Sequence, residues 1–453
     1  MMPLKKIFLK LKPSNRGQSR LMKAGLTGTS GLLIRGLRMA IALISVPLTS
    51  KYLGAERYGM WLILNSFLAW VILADFGLAN SLRNILATAH GQGDREKAKT
   101  AVSSVFGLIL VIVALVGLLF WFLHPQIDWS KVFNVSSPLA KEDASSAMVV
   151  VAAIFLAQLI LAAPLDIYSA YQEGYLSNIW AALSTIASLI ALITAVSQHA
   201  NLPTLALAVF ATPLLGNVAA GIHLYFWSRP WLRPSFTHFK WDQAWSLLKV
   251  GFQFWLGQIT VIILLQTDLL VVAQLFGAVD VARYGVALKL FSLISTIQGT
   301  LVFPFWSAYT EAFSRREFKW VTKTFKHSVL LGLAWSITTS LFMVIFGQQF
   351  IRFLTTKEIS PELDLLISMS TTTVLYGIMS SFNIFMNGIG EIKIQAFIGP
   401  PSSIFNLAAS ILLGRWIGPA GVSLATAITV LITLLIYSYY MSKRWKMLVS
   451  EAS

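Results

Sequence analysis

The chain has 453 residues, of which 56% are hydrophobic and 12% charged, with a mean hydropathy of +0.70 and a formal net charge of +16. Soluble domains do not have this composition; it fits a chain that lies mostly in a bilayer, where each crossing of a hydrocarbon core about 30 Å thick takes roughly 20 apolar residues. Cysteine is absent and the six histidines show no ligand spacing, which excludes disulfides and thiol chemistry and points to no metal centre.

Residues 1–24 form a basic cytoplasmic segment; its start, Leu4 to Lys12, reads either as an amphipathic stretch for an anionic leaflet or as a basic tail that enforces topology. The first apolar stretch lacks an Ala-x-Ala site and contains arginines, so no cleavable signal is expected. Hydropathy then predicts about twelve helices, over 25–53, 58–83, 101–124, 146–171, 175–197, 203–227, 247–276, 282–306, 327–347, 366–388, 396–417 and 419–441. These divide into an N-lobe (25–228), a cytoplasmic linker (229–246), a C-lobe (247–441) and a cytoplasmic tail (442–453).

The positive charge follows alternate connections instead of forming one patch. About 23 Lys and Arg fall on one side of the predicted membrane and about 8 on the other, which puts both termini in the cytoplasm and gives no sign of nucleic-acid binding. The longest connection on the sparse side runs from about Pro125 to Ser145. No connection has room for a catalytic domain, and none carries a phosphate-cradling Gly-rich loop. The chain therefore does not read as an enzyme or a primary pump, which leaves a channel, a secondary transporter or a scaffold.

Half a chain apart, the sequence echoes itself. Tyr52-Leu53-Gly54-Ala55-Glu56-Arg57-Tyr58-Gly59 joins the first two helices, and Leu275-Phe276-Gly277-Ala278 through Arg283-Tyr284-Gly285 joins the seventh and eighth. The basic turns Gly93 to Lys97 and Ser314 to Lys319 match in the same way. An even number of helices per half makes the repeat parallel. The expected fold is thus an all-α polytopic membrane protein of two six-helix bundles around a central cavity.

Several charges lie inside the apolar stretches. Arg35 and Arg38 share a face with Gly31, Ala42, Ser45 and Thr49. An arginine at a helix centre costs roughly 2.5 to 3.5 kcal/mol on insertion scales, so this stripe reads as lining water or holding an anion, with snorkelling to the interface as the alternative. Asp75 must pair or take up a proton; an ion pair with Arg35 or Arg38 and a coupling role are both open. Asn65 and Arg83 fall on one line of the second helix. Asp268 and Lys289 are the charges of the second half and read as cavity lining or as interface anchors. Lys289 shares a polar stripe with Ser292, Thr296 and Gly299, and Gln253, Gly257 and Thr260 form another on the seventh helix. Asp166, after Pro164, marks either a hinge or a helix end.

Residues 25–100 resemble the bacterial polysaccharide transport family, the Wzx-type O-antigen flippases of the multidrug/oligosaccharidyl-lipid/polysaccharide exporter superfamily. The resemblance is carried by Tyr52 to Trp61, by Leu73-Ala74-Asp75-Phe76-Gly77-Leu78-Ala79-Asn80, by Asn84 and by Gly91-Gln92-Gly93-Asp94. The basic leader is longer than the family pattern, and some relatives carry 14 helices. The resemblance implies movement of an undecaprenyl-diphosphate-linked oligosaccharide (an O-antigen, exopolysaccharide or capsule unit) from the cytoplasmic to the periplasmic leaflet of a bacterial inner membrane. A polysaccharide polymerase or chain-length machinery would then be a partner. On this reading Arg35 and Arg38, with Arg83 and Lys289, hold the diphosphate, while Asp75, Asp268 or Asp166 exchanges H⁺ or Na⁺ and no cofactor is needed. The rivals are a multidrug or organic-cation antiporter, a peptidoglycan-precursor or teichoic-type flippase and a membrane glycosyltransferase; the first needs cavity carboxylates and aromatics, whereas the deep charges here are mainly positive.

Overall fold

The computed structural model describes residues 16–303, 305–391 and 393–452. The amphipathic start Leu4 to Lys12 lies outside the described residues. The helices are α1 (Arg16–Ala69), α2 (Val71–Ala74), α3 (Leu78–Gln92), α4 (Arg95–Leu123), α5 (Trp129–Val132), α6 (Pro138–Leu161), α7 (Ala163–Ala170), α8 (Gly174–Ser197), α9 (Leu202–Phe210), α10 (Thr212–Ile222), α11 (Trp241–Phe276), α12 (Ala278–Val302), α13 (Phe305–Ser314), α14 (Phe318–Leu354), α15 (Leu363–Gly388), α16 (Lys393–Ile417) and α17 (Pro419–Ala452). Among the described residues there is no strand.

Among the described residues, ten helical stretches are long and apolar enough to cross a membrane. One of them belongs to α1, whose 54 residues would extend about 80 Å if straight, far more than one crossing needs. It is interrupted at Gly54 (φ 73°, ψ 173°), so it contributes two crossings. With α11, 36 residues long, the total among the described residues reaches the expected twelve. The helices outrun the predicted ones at several ends: α14 starts at Phe318 instead of 327, and α6 at Pro138 instead of 146. The extra turns are polar, so hydropathy does not register them. Side-chain caps fix the start of α6, where Ser137 accepts from Ala140 N with Pro138 in the first turn, and of α4, where Asp94 accepts from Lys97 N.

The internal repeat is visible in the backbone. Gly277 (φ 92°, ψ 173°) separates α11 from α12 just as Gly54 separates the first two crossings, in a conformation open to glycine. The connections then alternate between two ends of the molecule. Those at 92–95, 170–174, 228–241, 314–318 and 388–393 form the end rich in Lys and Arg (the basic end), and the two glycine breaks lie at the opposite end.

Packing distinguishes the two ends. At the opposite end one apolar core draws on both halves, from Val46, Tyr58, Leu64 and Ile154 to Val272, Tyr284, Leu366 and Val422. At the basic end there are two separate cores, one around Leu82, Val105, Tyr168 and Leu224, the other around Tyr309, Val321, Phe385 and Tyr437. The two bundles thus share one core at the opposite end and keep separate cores at the basic end, where the start of α11 (Ala244, Leu247) packs into the first.

Small residues permit the fusion. A Cβ on Gly59 would lie 1.7 Å from Ala278 O, and one on Gly285 would lie 2.4 Å from a Leu62 methyl. The 124–137 connection adds a clasp. Asn134, at φ 49°, donates from Nδ2 to Ala273 O (3.0 Å) and accepts from Ala278 N (3.4 Å), so it brackets the Gly277 break. Gln274 Nε2 donates to Val132 O (2.6 Å). On the other side, the Glu56 carboxylate accepts from Ser136 Oγ (2.9 Å) and Ser137 N (3.2 Å).

Candidate functional site

On α1, Arg35 and Arg38 are exposed, and neither has an ion pair or hydrogen-bond partner among the described residues. Nothing lies within 4 Å of where a Cβ would sit on Gly28 and Gly36 of this segment, or on Gly299 of α12, so the chain leaves open space here. Gly31 departs from the expected stripe: it packs on Asn178 of α8, whose Nδ2 donates to Ser30 Oγ at 2.9 Å. Two turns beyond Arg38, about 10 Å along the axis, the same face ends in a small cavity of about 150 Å³. Ser45, Thr49, Asn65 and Ser188 supply its polar lining, the stacked rings of Trp61 and Phe210 (4.4 Å) supply a wall, and Lys289 of α12 also lines it. Lys289 comes from the other half of the chain and has no acidic partner among the described residues. Helix periodicity gave the α1 stripe, but only the packing of the two lobes brings Ser45 and Thr49 to the lysine.

A second cavity, about 300 Å³, lies where two crossings are broken. The helix is interrupted at Trp70 and, after the short α2, again from Asp75 to Gly77, with Phe76 (φ 49°) and Gly77 (φ 74°) both left-handed. The expectation that Asn65 and Arg83 share a line is therefore corrected: they sit on separate segments and line different cavities. Asp75 does not pair with Arg35 or Arg38. Its carboxylate accepts from Gly77 N (2.8 Å) and Ala79 N (3.2 Å), capping the start of α3. Arg83 is held by Asp166, Nη2 to Oδ1 at 2.6 Å. Asp166 lies in the first turn of α7, just past the break at Ala162 that Pro164 follows, so the Pro–Asp pair marks a restart within the fourth crossing. Asn80, Gln158 and Gln258 complete the polar lining. The break also touches the other half: Trp255 Nε1 donates to Leu73 O (2.7 Å), and Gly77 meets Gly251 backbone to backbone.

The third cavity, about 370 Å³, is inside the second bundle and rich in hydroxyls, with Ser292, Ser295, Thr296, Thr372, Thr373 and Ser423 around Asp268, Tyr284 and Tyr376. α12 thus borders two cavities, Lys289 facing one and Ser292 and Thr296 the other. Asp268 is 6% exposed, so it is an interior group and not an interface anchor. Its Oδ2 accepts from Tyr284 Oη (2.9 Å) and from Thr426 Oγ1 (3.4 Å). Asn406 Nδ2 donates to the same Thr426 hydroxyl at 3.0 Å. Asp268 Oδ1 and Asn406 Oδ1 are both buried and have no hydrogen-bond partner among the described residues. Such oxygens are costly to leave unpaired, and a hard cation or a proton would satisfy them. Sequence reasoning found Asp268 from its charge but missed Asn406, Thr426 and Tyr284, which look like ordinary polar residues of three different helices. Among the described residues no group of three or more His, Cys, Asp or Glu forms a metal site. The expected stripe of Gln253, Gly257 and Thr260 falls on side chains outside the described residues.

Twelve crossings, two bundles fused at one end, and charged cavities between and within them define a multi-pass membrane transporter of the two-bundle type. Solved structures share this fold. An inward-facing multidrug-resistance MATE transporter of the MOP superfamily superposes with a TM-score of 0.76 at 15% identity, over 92% of this chain and 96% of the other. The lipid II flippase MurJ, inward closed, gives 0.73 at 17% identity over 92% and 87%. The family model for polysaccharide biosynthesis proteins matches residues 27–315, and that for MatE matches 255–412. The chain belongs to the polysaccharide biosynthesis protein family. A candidate O-antigen export protein of Yersinia pseudotuberculosis is 25% identical over 78% of this chain and 80% of its own length. A candidate O-antigen transporter of Salmonella typhimurium is 22% identical over 92% and 94%.

Proposed function

We propose that this transporter moves a lipid-linked oligosaccharide, held by its diphosphate, from the leaflet at the basic end to the leaflet at the opposite end, and that the basic end is cytoplasmic. The observation that carries this reading is the free cationic face of α1, leading from the basic end of the bundles towards Lys289. Arg35 and Arg38 capture the diphosphate on that side, and their forked donors suit its oxygens. Lys289, in a pocket with room for little more than one phosphate group, receives it as the lobes rock. The O-antigen names of the relatives support an O-antigen or similar bacterial surface glycan as the cargo and the inner membrane as the location. Arg83, engaged by Asp166, stays in the N-lobe network and is not a cargo ligand in this state.

Asp268 is the coupling group in this proposal, with H⁺ or Na⁺ seated between its free oxygen and that of Asn406. Asp75, whose oxygens cap α3, holds the helix break. The rocking of two lobes needs no bound cofactor. The second reading, an organic-cation antiporter, has one observation in its favour: the third cavity sets a carboxylate beside Tyr284, Tyr376 and Phe291.

Transbilayer movement of a short-chain polyprenyl-diphosphate oligosaccharide in proteoliposomes separates the two readings. Arg35→Ala/Arg38→Ala should slow it at least tenfold, because charge-assisted contacts to phosphate are worth roughly 1.5 to 3 kcal/mol each. Asp268→Asn should leave residual movement that no longer responds to an imposed pH or Na⁺ gradient. Unchanged movement in the double arginine variant refutes the cargo site, and efflux of a cationic dye with no glycan movement supports the antiporter.

A further inference from the structure

α14 carries a cluster of cations for which the transport cycle has no use. Lys319, Lys323 and Lys326 point within about 60° of one another around the helix axis, and all three are exposed. With Thr322, Phe318 and Trp445 they line a cavity of about 450 Å³ at the basic end. None of the three has an ion pair or hydrogen bond among the described residues, and the first turn of α14 holds no acidic residue. Positive charge is unfavourable at the positive end of a helix dipole, and like charges four residues apart repel. A bound anion would relieve both.

The same face shows which anion. Beyond Lys326 it continues through Leu330 (62% exposed), Ile337 (50%) and Leu341 (57%), an uncovered aliphatic strip. From Lys326 to Ile337 the helix rises about 16 Å, close to half of a hydrocarbon core about 30 Å thick. The Trp445 ring stands edge-on to Phe318, 5.8 Å away, at the level where indoles mark the lipid interface. A headgroup site and a tail track thus share one helix face, in the proportions of a single leaflet.

We propose that α14 binds an anionic phospholipid of the leaflet at the basic end, its phosphate among Lys319, Lys323 and Lys326 and one acyl chain along Leu330 and Ile337. The site is separate from the cavity of Arg35 and Lys289, and its occupation ties the C-lobe to that leaflet.

The test uses the purified full-length protein in mild detergent, titrated with phosphatidylglycerol, phosphatidylcholine or sodium pyrophosphate, with bound lipid counted by native mass spectrometry. Phosphatidylglycerol should bind the wild type and the triple Lys→Arg variant at these positions. The triple Lys→Gln variant should bind it roughly 100-fold more weakly, while phosphatidylcholine should bind none of them well. Leu330→Ser/Ile337→Ser, which leaves every charge in place, should also weaken binding and keeps the test open if the glutamine variant fails to fold. Wild-type affinity for phosphatidylglycerol in both the glutamine and serine variants overturns the proposal. So does pyrophosphate competing as tightly as the lipid, which would make this a site for soluble phosphates.

Discussion

In the proposed transport cycle the lobes rock and the fused end opens, and the clasp of the 124–137 connection is what must let go. The informative perturbation is Asn134→Gly with Gln274→Ala. Glycine accepts the left-handed backbone of position 134, so only the side-chain bond to Ala273 O is lost; alanine there would add the cost of a left-handed residue, about 1 to 2 kcal/mol, and confuse the result. The main-chain bond from Ala278 N survives, and Gln274→Ala removes the bond to Val132 O. At roughly 1 kcal/mol for each bond, the pair favours the open state by about 2 kcal/mol, a shift of about 30-fold in the closed-to-open ratio. Because the sequence has no cysteine, spin labels at Lys141→Cys and Lys357→Cys, one on each lobe at the opposite end, report without background. Pulsed electron resonance in nanodiscs should show a longer distance gaining population in the double variant, and a smaller gain for Asn134→Gly alone. A distance distribution identical to wild type in the double variant would refute the clasp.

Two further expectations follow from the packing. Gly59→Val should prevent closure at the same end, because even a Cβ would fall 1.7 Å from the Ala278 carbonyl; the label pair should report the open distance and transport should stop, whereas a normally cycling variant would contradict the close approach. At the basic end, burial pushes the Glu391 carboxyl up, but Arg444 at 2.7 Å and the Tyr440 hydroxyl at 2.8 Å hold it below its ordinary value near 4.5. The stability this pair contributes is present above that value and is lost as pH falls through the lowered one, so melting measured from pH 6 to pH 3 should fall more steeply for wild type than for Glu391→Gln.

The reach of the sequence is clearest where one dimension suffices. Apolar runs, charge alternation and the Gly54 and Gly277 echo are local signals, because a crossing helix satisfies its own backbone and a glycine break needs no partner. The stripe of Arg35, Arg38, Ser45 and Thr49 was legible for the same reason. The second helix was misread because its periodicity was carried through a break: Leu73-Ala74-Asp75-Phe76-Gly77 is apolar enough to look continuous, and two left-handed residues in it reset the register of Arg83 against Asn65.

What the sequence alone determined is a membrane chain of about twelve crossings in two equivalent halves, with named charges on named helices. Which charges pair, and which stay free, only the tertiary structure decided. Asp166 neutralises Arg83, backbone amides hold Asp75, and Lys289 crosses into a pocket of the other half. The physical reason is that a charge in the bilayer is stabilised by whatever lies within a few ångströms of it, and such neighbours come from helices tens to hundreds of residues away. Periodicity fixes the face a side chain occupies; lobe packing selects what meets it there.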